Sequence, residues 1–229
     1  MKQAIEFSHK VASHLILTAR KKFPFHTLLF VHNGALIVRL GKTEYFVGQS
    51  QCFWLPTGAL YSITALPLTT FSEATFSLRN TYSLPETAGY VTPSQVTTAI
   101  FTELSKTTFE PEWQTAQGRL LRVLRDQLSE CEATLDNIST EQQTINRFVR
   151  IICDSVTKIE LQLPESAKNS EMADLCQQKT HLLPQQLFDL IQSREWLRLS
   201  RSGKKTKQIA EMHQVGEDKV VESLKEISL

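Results

Sequence analysis

Along residues 24–82 apolar positions recur every second residue. His26, Leu28, Phe30 and His32 alternate with Thr27, Leu29 and Val31, the pattern of a half-buried strand. Asn33 and Gly34 follow, then the apolar run 35–40. Asn-Gly between two such runs predicts a hairpin, because both turn positions need positive φ. Residues 41–43 make a second turn into 44–47, and residues 48–50 a third. Segments 52–55, 60–65 and 70–78 complete a set of short strands with turn signals every eight to twelve residues, which predicts a small barrel or jelly roll.

The period changes after Tyr90. A short helix is predicted over 95–105. The acids Glu110 and Glu112 around Pro111 suit the start of a second helix, over 111–135. Trp113, Ala116, Leu120, Leu124, Leu128, Cys131 and Leu135 recur there at steps of three and four, with Leu121 beside them. So narrow an apolar seam either lies on the barrel or pairs with its copy in a second chain; the latter makes Leu120, Leu121, Leu124, Leu128 and Leu135 a dimer interface. Ser139 and Gln142 have capping-box spacing ahead of a face made by Ile145, Phe148, Val149, Ile152, Val156 and Ile159. Further helices are predicted over 164–178, 184–200, 206–213 and 217–227, with Gly203 and Gly216 as breaks. The fold class is α+β, divided as a barrel over 1–92, a helical linker over 93–138 and an all-α unit over 139–229.

The 229 residues hold 41% hydrophobic and 21% charged residues, ordinary for a globular protein. No apolar run approaches the ~18 residues of a membrane span, and the N-terminal stretch is a poor secretory signal. Four scattered cysteines without a Cys-x-x-Cys pair suggest neither disulfides nor a zinc knuckle, so a reducing cytoplasm is expected. The net charge of +1 does not point to nucleic acid, but its distribution adds something. Stretch 194–207 holds six basic residues against Glu195 alone, whereas 208–226 holds two lysines against five acids.

No catalytic motif is present: there is no Gly-rich phosphate loop, nucleophile elbow or acid pair, and no enzymatic activity or cofactor is expected. A metal is not expected either. His26 and His32 share a strand face but lie roughly 20 Å apart in extended chain, too far to share an ion. Phe30, Tyr45, Trp54 and Tyr61, with His26, have the make-up of a small ligand pocket; plain core is the alternative for each.

Residues 179–188, 193–199 and 206–210, with Val220, Leu224 and Lys225, resemble the C-terminal half of the AraC family of transcription regulators. Gly34, Gly48, Pro56 and Gly58 resemble the spacing of that family's cupin-like sensor barrels. The resemblance implies an effector-binding barrel, a dimerising helix and paired helix-turn-helix units on DNA. Four positions depart from the family's pattern. Gln214 and His181 stand where the family has glycine, and Cys176 and Gln177 replace an aromatic-Lys pair.

The reading that follows is a homodimeric regulator that responds to a small molecule or protein at the barrel. It would contact DNA through Arg198, Arg201, Lys204, Lys205, Lys207 and Lys219, with base-edge contacts from 216–222. Both candidate recognition segments are rich in acids, Glu171 and Asp174 in one and Glu217, Asp218 and Glu222 in the other. Carboxylates between phosphate strands are unfavourable. The rival reading is an interaction module that has lost DNA binding and acts on another regulator; a cupin enzyme with an unrelated helical tail is a third.

Overall fold

The computed structural model describes residues 4–78, 82–107, 113–167 and 170–228. The N-terminal half is two antiparallel sheets. In chain order the strands are β1 (Ile5–Ala12), β2 (Ile16–Leu17), β3 (Lys21–Lys22), β4 (Phe25–Asn33), β5 (Leu36–Leu40), β6 (Thr43–Val47), β7 (Cys52–Leu55), β8 (Leu60–Ala65), β9 (Thr69–Ser77) and β10 (Gly89–Val91). One sheet runs β1-β9-β4-β7-β10. The other runs β2-β8-β5-β6, with β3 also on β8.

The Asn33-Gly34 turn forms, but it is not a hairpin. β4 and β5 lie in different sheets, and the chain crosses between them at Gly34, whose φ is +75°. Thr69 captures the crossing: its Oγ1 accepts from Ala35 N at 3.1 Å and donates to Ala35 O at 3.0 Å. A Cβ on Gly34 would meet that oxygen at 2.6 Å, so both the dihedral and the close approach require glycine. The second turn is a true two-residue hairpin, with Leu40 paired to Thr43. β1 was not expected. It pairs with β9 over its full length, and Ile5, Phe7, His9 and Val11 alternate with polar residues in a pattern that predicts it.

The helices are α1 (Gln95–Ser105), α2 (Ala116–Ser129), α3 (Thr140–Thr157), α4 (Ser170–Thr180), α5 (Pro184–Arg201), α6 (Thr206–His213) and α7 (Glu217–Ser228), with a 3-10 turn at Glu165–Ala167 before α4. The C-terminal boundaries match their caps. Ser139 accepts from Gln142 N at the start of α3. Pro184 opens α5, where the Gln186 side chain accepts from Leu183 N; Gln208 does the same for Lys205 N ahead of α6.

Four layers result. α1 and α2 cover the outer face of the first sheet, where Leu28, Phe30, Trp54 and Phe76 join Phe101, Leu104, Leu121 and Leu124. Between the sheets, Leu29, Val31, Leu36, Val38, Phe53, Leu55, Tyr61 and Ile63 form the barrel interior. The outer face of the second sheet packs on α3 and α5, so Ile37 and Phe46 share a core with Phe148, Ile152, Phe188 and Ile191. The central strands β4 and β7 of the first sheet are therefore buried on both faces rather than half-buried. α6 and α7 close a small separate core on Trp196.

Candidate functional site

The five residues expected to line one barrel pocket divide between the outer face of the first sheet and the space between the two sheets. Phe30 and Trp54 point outward: Phe30 stacks on Phe101 of α1 at 4.9 Å, and Trp54 Nε1 donates to Pro85 O at 2.7 Å. His26 stacks on Trp54 at 5.4 Å and accepts from Thr57 N; burial lowers its pKa. Tyr61 and Tyr45 lie on the other side. Tyr61 stacks on Phe23 at 4.7 Å, and its hydroxyl lies 3.2 Å from Thr27 Oγ1. Burial pushes its phenol up to about 12, against the lowering effect of that bond. Tyr45 packs near Phe53 at 5.8 Å. These five do not line a single pocket, because Phe30, Trp54 and His26 pack on the helix-covered face of the first sheet while Tyr45 and Tyr61 pack between the two sheets, and the first sheet separates the groups. His32 faces His9 at 5.1 Å, and both rings reach Ser72 Oγ. Burial, and then His9, depress His32 to about 4, so it is neutral near pH 7.

The expected dimer seam also needs correcting. Residues 110–112, its proposed start, lie outside the described residues, and α2 ends at Ser129, so Leu135 is beyond the helix. Leu121, Leu124 and Leu128 are 0–2% exposed, because α1 and the first sheet already cover them. Leu120 packs partly on the same core and Leu135 on the barrel interior. None of the three buried leucines is available to a second chain. The outward side of α2 instead carries Ala116, Arg119 and Val123.

At the C-terminus α6, a tight turn and α7 form a helix-turn-helix. Ile209, Ala210 and Val220 are buried against Trp196 and Leu199 of α5. Gln214 caps α6 with φ 51° and ψ 43°, and His181 between α4 and α5 has φ 58°. Both positions where the resemblance implies glycine thus adopt the left-handed backbone, held by residues that strain there. Gln214→Gly is expected to stabilise the chain by about 1 kcal/mol, raising Tm by about 2–4 °C in thermal unfolding. A lower Tm would contradict the strain. Upstream, where the resemblance implies a first helix-turn-helix, the chain forms the 3-10 turn and α4, which exposes Glu171, Asp174, Gln177 and Gln178.

The basic stretch divides by environment. Lys204, Lys205 and Lys207 are exposed where the chain turns into α6. Arg198 is held by Glu195, with Nε to Oε2 at 2.7 Å. Arg201 Nη1 donates to Leu17 O of β2 at 3.2 Å, tying the end of α5 to the barrel. Lys219 lies over the Trp196 ring at 6.0 Å. On α7 the exposed positions read Glu217, Asp218, Lys219, Glu222, Lys225 and Glu226, a net acidic surface.

Two polar clusters join the barrel to the helices, and neither was expected. Arg194 of α5 is paired with Glu44 of β6 at 3.0 and 3.3 Å and also reaches Thr64 and Cys153. Burial opposes the Arg194 charge, yet its neighbours leave its pKa raised. Burial pushes the Cys153 thiol up to about 12, so it stays neutral and Glu44 supplies the countercharge. In the second cluster Tyr90 Oη donates to Phe46 O, and Asn146 Oδ1 accepts from Phe46 N at 2.8 Å. The Gln142 side chain donates to Phe46 O at 2.8 Å and also lies 2.6 Å from Gln51. Gln142 thus leaves its capping box half-made in order to bind the barrel. The partners are about 40 to 150 residues apart, so no local pattern joins them.

Between β2, β5, β8 and α5 lies a cleft of about 310 Å³ lined by Arg20, Arg39, Arg194, Arg198 and Arg201, with Leu17, Thr18, Ala19, Ser62 and Glu195. Among the described residues no three of His, Cys, Asp and Glu converge as a metal site, and no helix is long and apolar enough to cross a membrane.

No protein-family model matches the sequence, and no curated protein matches it. Among solved structures, apo ToxT from Vibrio cholerae strain SCE256 aligns over 100% of this chain and 95% of its own, at 12% identity and a TM-score of 0.42. ToxT from Vibrio cholerae O395, bound to (E)-4-(8-methylnaphthalen-1-yl)but-3-enoic acid, covers 97% and 94%, at 14% identity and a TM-score of 0.35. A cupin superfamily protein from Desulfitobacterium hafniense aligns over 34% of this chain and 71% of its own, at 9% identity and a TM-score of 0.32.

Proposed function

We propose that this chain is a cytoplasmic, non-enzymatic transcription regulator of the AraC type, with a barrel that receives a signal and a C-terminal helix pair that contacts DNA. The supporting observation is the α6–α7 unit. It packs on the end of α5 around Trp196, and Lys204, Lys205 and Lys207 stand exposed at its entrance. Contacts to phosphate dominate, because the exposed start of α7 is acidic and suits base edges poorly. Arg198 is committed to Glu195, and the bond of Arg201 to Leu17 O turns its guanidinium toward the barrel, so the lysines bear most of the electrostatics. Dimerisation, if it uses α2, goes through the outward side that carries Val123.

Binding to mixed duplex DNA, followed by fluorescence anisotropy, tests this. Three phosphate contacts give a log–log salt slope of about −2.7, or an affinity loss of about forty-fold between ~50 and ~200 mM salt. Lys204→Glu with Lys205→Glu is expected to flatten that slope by about two. The acids on α4 and α7 favour a second reading, an interaction module that binds another regulator. Absence of DNA binding at low salt would leave that reading standing and remove the first.

A further inference from the structure

We propose that the cleft between the barrel edge and α5 is a binding site for a compact organic dianion, a phosphate monoester or a short dicarboxylate. Five arginines line it, but two are already neutralised: Glu44 takes Arg194, and Glu195 takes Arg198. Arg39 only shares Glu44 with Arg194, at 3.9 Å, and the remaining two, Arg20 and Arg201, have no such partner, so five guanidinium groups face two carboxylates. Arg20 Nη2 donates to Gly41 O at 2.7 Å and Arg201 Nη1 to Leu17 O at 3.2 Å, and among the described ion pairs neither meets a carboxylate. Each carbonyl bond uses one of five guanidinium donors and fixes the fork at the rim, leaving the rest to a ligand. Arg39 Nε is buried without a hydrogen-bond partner, and the nearest carboxylate oxygen, of Glu44, is 3.9 Å away. A buried N–H left without an acceptor is costly, and an anion in the cleft would supply one.

Charge count and size narrow the ligand class. Five guanidinium groups against two carboxylates leave an excess of three positive charges around one cleft, which favours two negative charges over one, and the planar forks match carboxylate or phosphate oxygens. A volume of about 310 Å³ is at the lower end of ligand cavities, and Leu17 and Ala19 provide an apolar wall for a short carbon body. With a lining drawn from both the barrel edge and α5, and Arg39 and Arg194 partly or wholly buried there, the cleft has the size of a small-molecule site. A bound anion would touch the barrel edge and α5, the helix that leads to α6. Coupling to DNA rests on the proposed function; binding itself does not.

Calorimetric titration of the full chain, without DNA, tests the site with glycerol 3-phosphate, succinate and octanoate as probes. Saturable binding of glycerol 3-phosphate or of succinate is expected, about tenfold tighter than octanoate, and the stronger of the two identifies the head group. Arg20→Ala and Arg201→Ala, both at exposed positions, should each weaken it about tenfold with the circular dichroism spectrum retained. Lys42→Ala, in the exposed β5–β6 turn, should change nothing. No saturable binding of either dianion, tighter binding of octanoate, or an equal loss with Lys42→Ala would overturn the proposal. DNA binding is measured separately, so a failed titration leaves the regulator reading intact.

Discussion

Glu44→Ala is expected to lower the melting temperature by about 6–20 °C. Glu44 is 5% exposed and holds the Arg194 guanidinium, whose side chain is 12% exposed, with two hydrogen bonds across the boundary between barrel and helices. Removing the carboxylate leaves an unpaired cation in a site with little water. For a buried pair this costs about 3–5 kcal/mol, and at this chain length each kcal/mol moves Tm by about 2–4 °C. The pair itself is a weaker source of stability than this loss suggests, because both ions were desolvated to form it. Glu44→Leu combined with Arg194→Met should therefore recover most of the lost Tm. Thermal unfolding of the three proteins decides the matter. A single variant within about 2 °C of the parent would mean that water or another anion reaches Arg194.

Leu124→Glu is expected to unfold the chain rather than divide a dimer. Truncating a buried leucine costs about 2–5 kcal/mol, and a carboxylate in the same place adds desolvation, so the total rivals the whole stability of an ordinary domain. Leu124 is 0% exposed between α1 and the first sheet. Loss of the folded circular dichroism spectrum is the expected result, and a well-folded monomer on sizing would restore the two-chain seam. Val123, one residue away and 42% exposed, is the position that tests dimerisation through α2. Val123→Glu should stay folded to within about 0.5 kcal/mol. A shift from dimer to monomer on sizing would locate the contact there, and an unchanged dimer would exclude that face.

The helix ends of the C-terminal half were legible in the sequence because their causes are local. Ser139 caps α3 through the amide three residues on, Pro184 and Gln186 open α5, and the turn after α6 lies where the family pattern has glycine. Gln214 and His181 show that the turn geometry is kept even when its preferred residue is absent. The alternation in β4 likewise identified a strand, and Gly34 a sharp reversal. Neither told which sheet each strand would join, because that depends on Thr69, 35 residues further on.

Local order therefore followed from the residues themselves: strand or helix, turn or cap, and the acidic character of α4 and α7. The tertiary structure decided what each face meets. Period-two alternation sorts residues into two sets but does not name the inner one, and here both sets are buried, one under helices and one between sheets. Period-four spacing marks an apolar seam on α2 without saying that α1 and the barrel fill it. A run of basic residues counts charges, but their availability depends on partners as distant as Glu44 for Arg194 and Leu17 for Arg201. Backbone preference acts over three or four residues, whereas burial and charge pairing act through space, and only the folded chain brings those groups together.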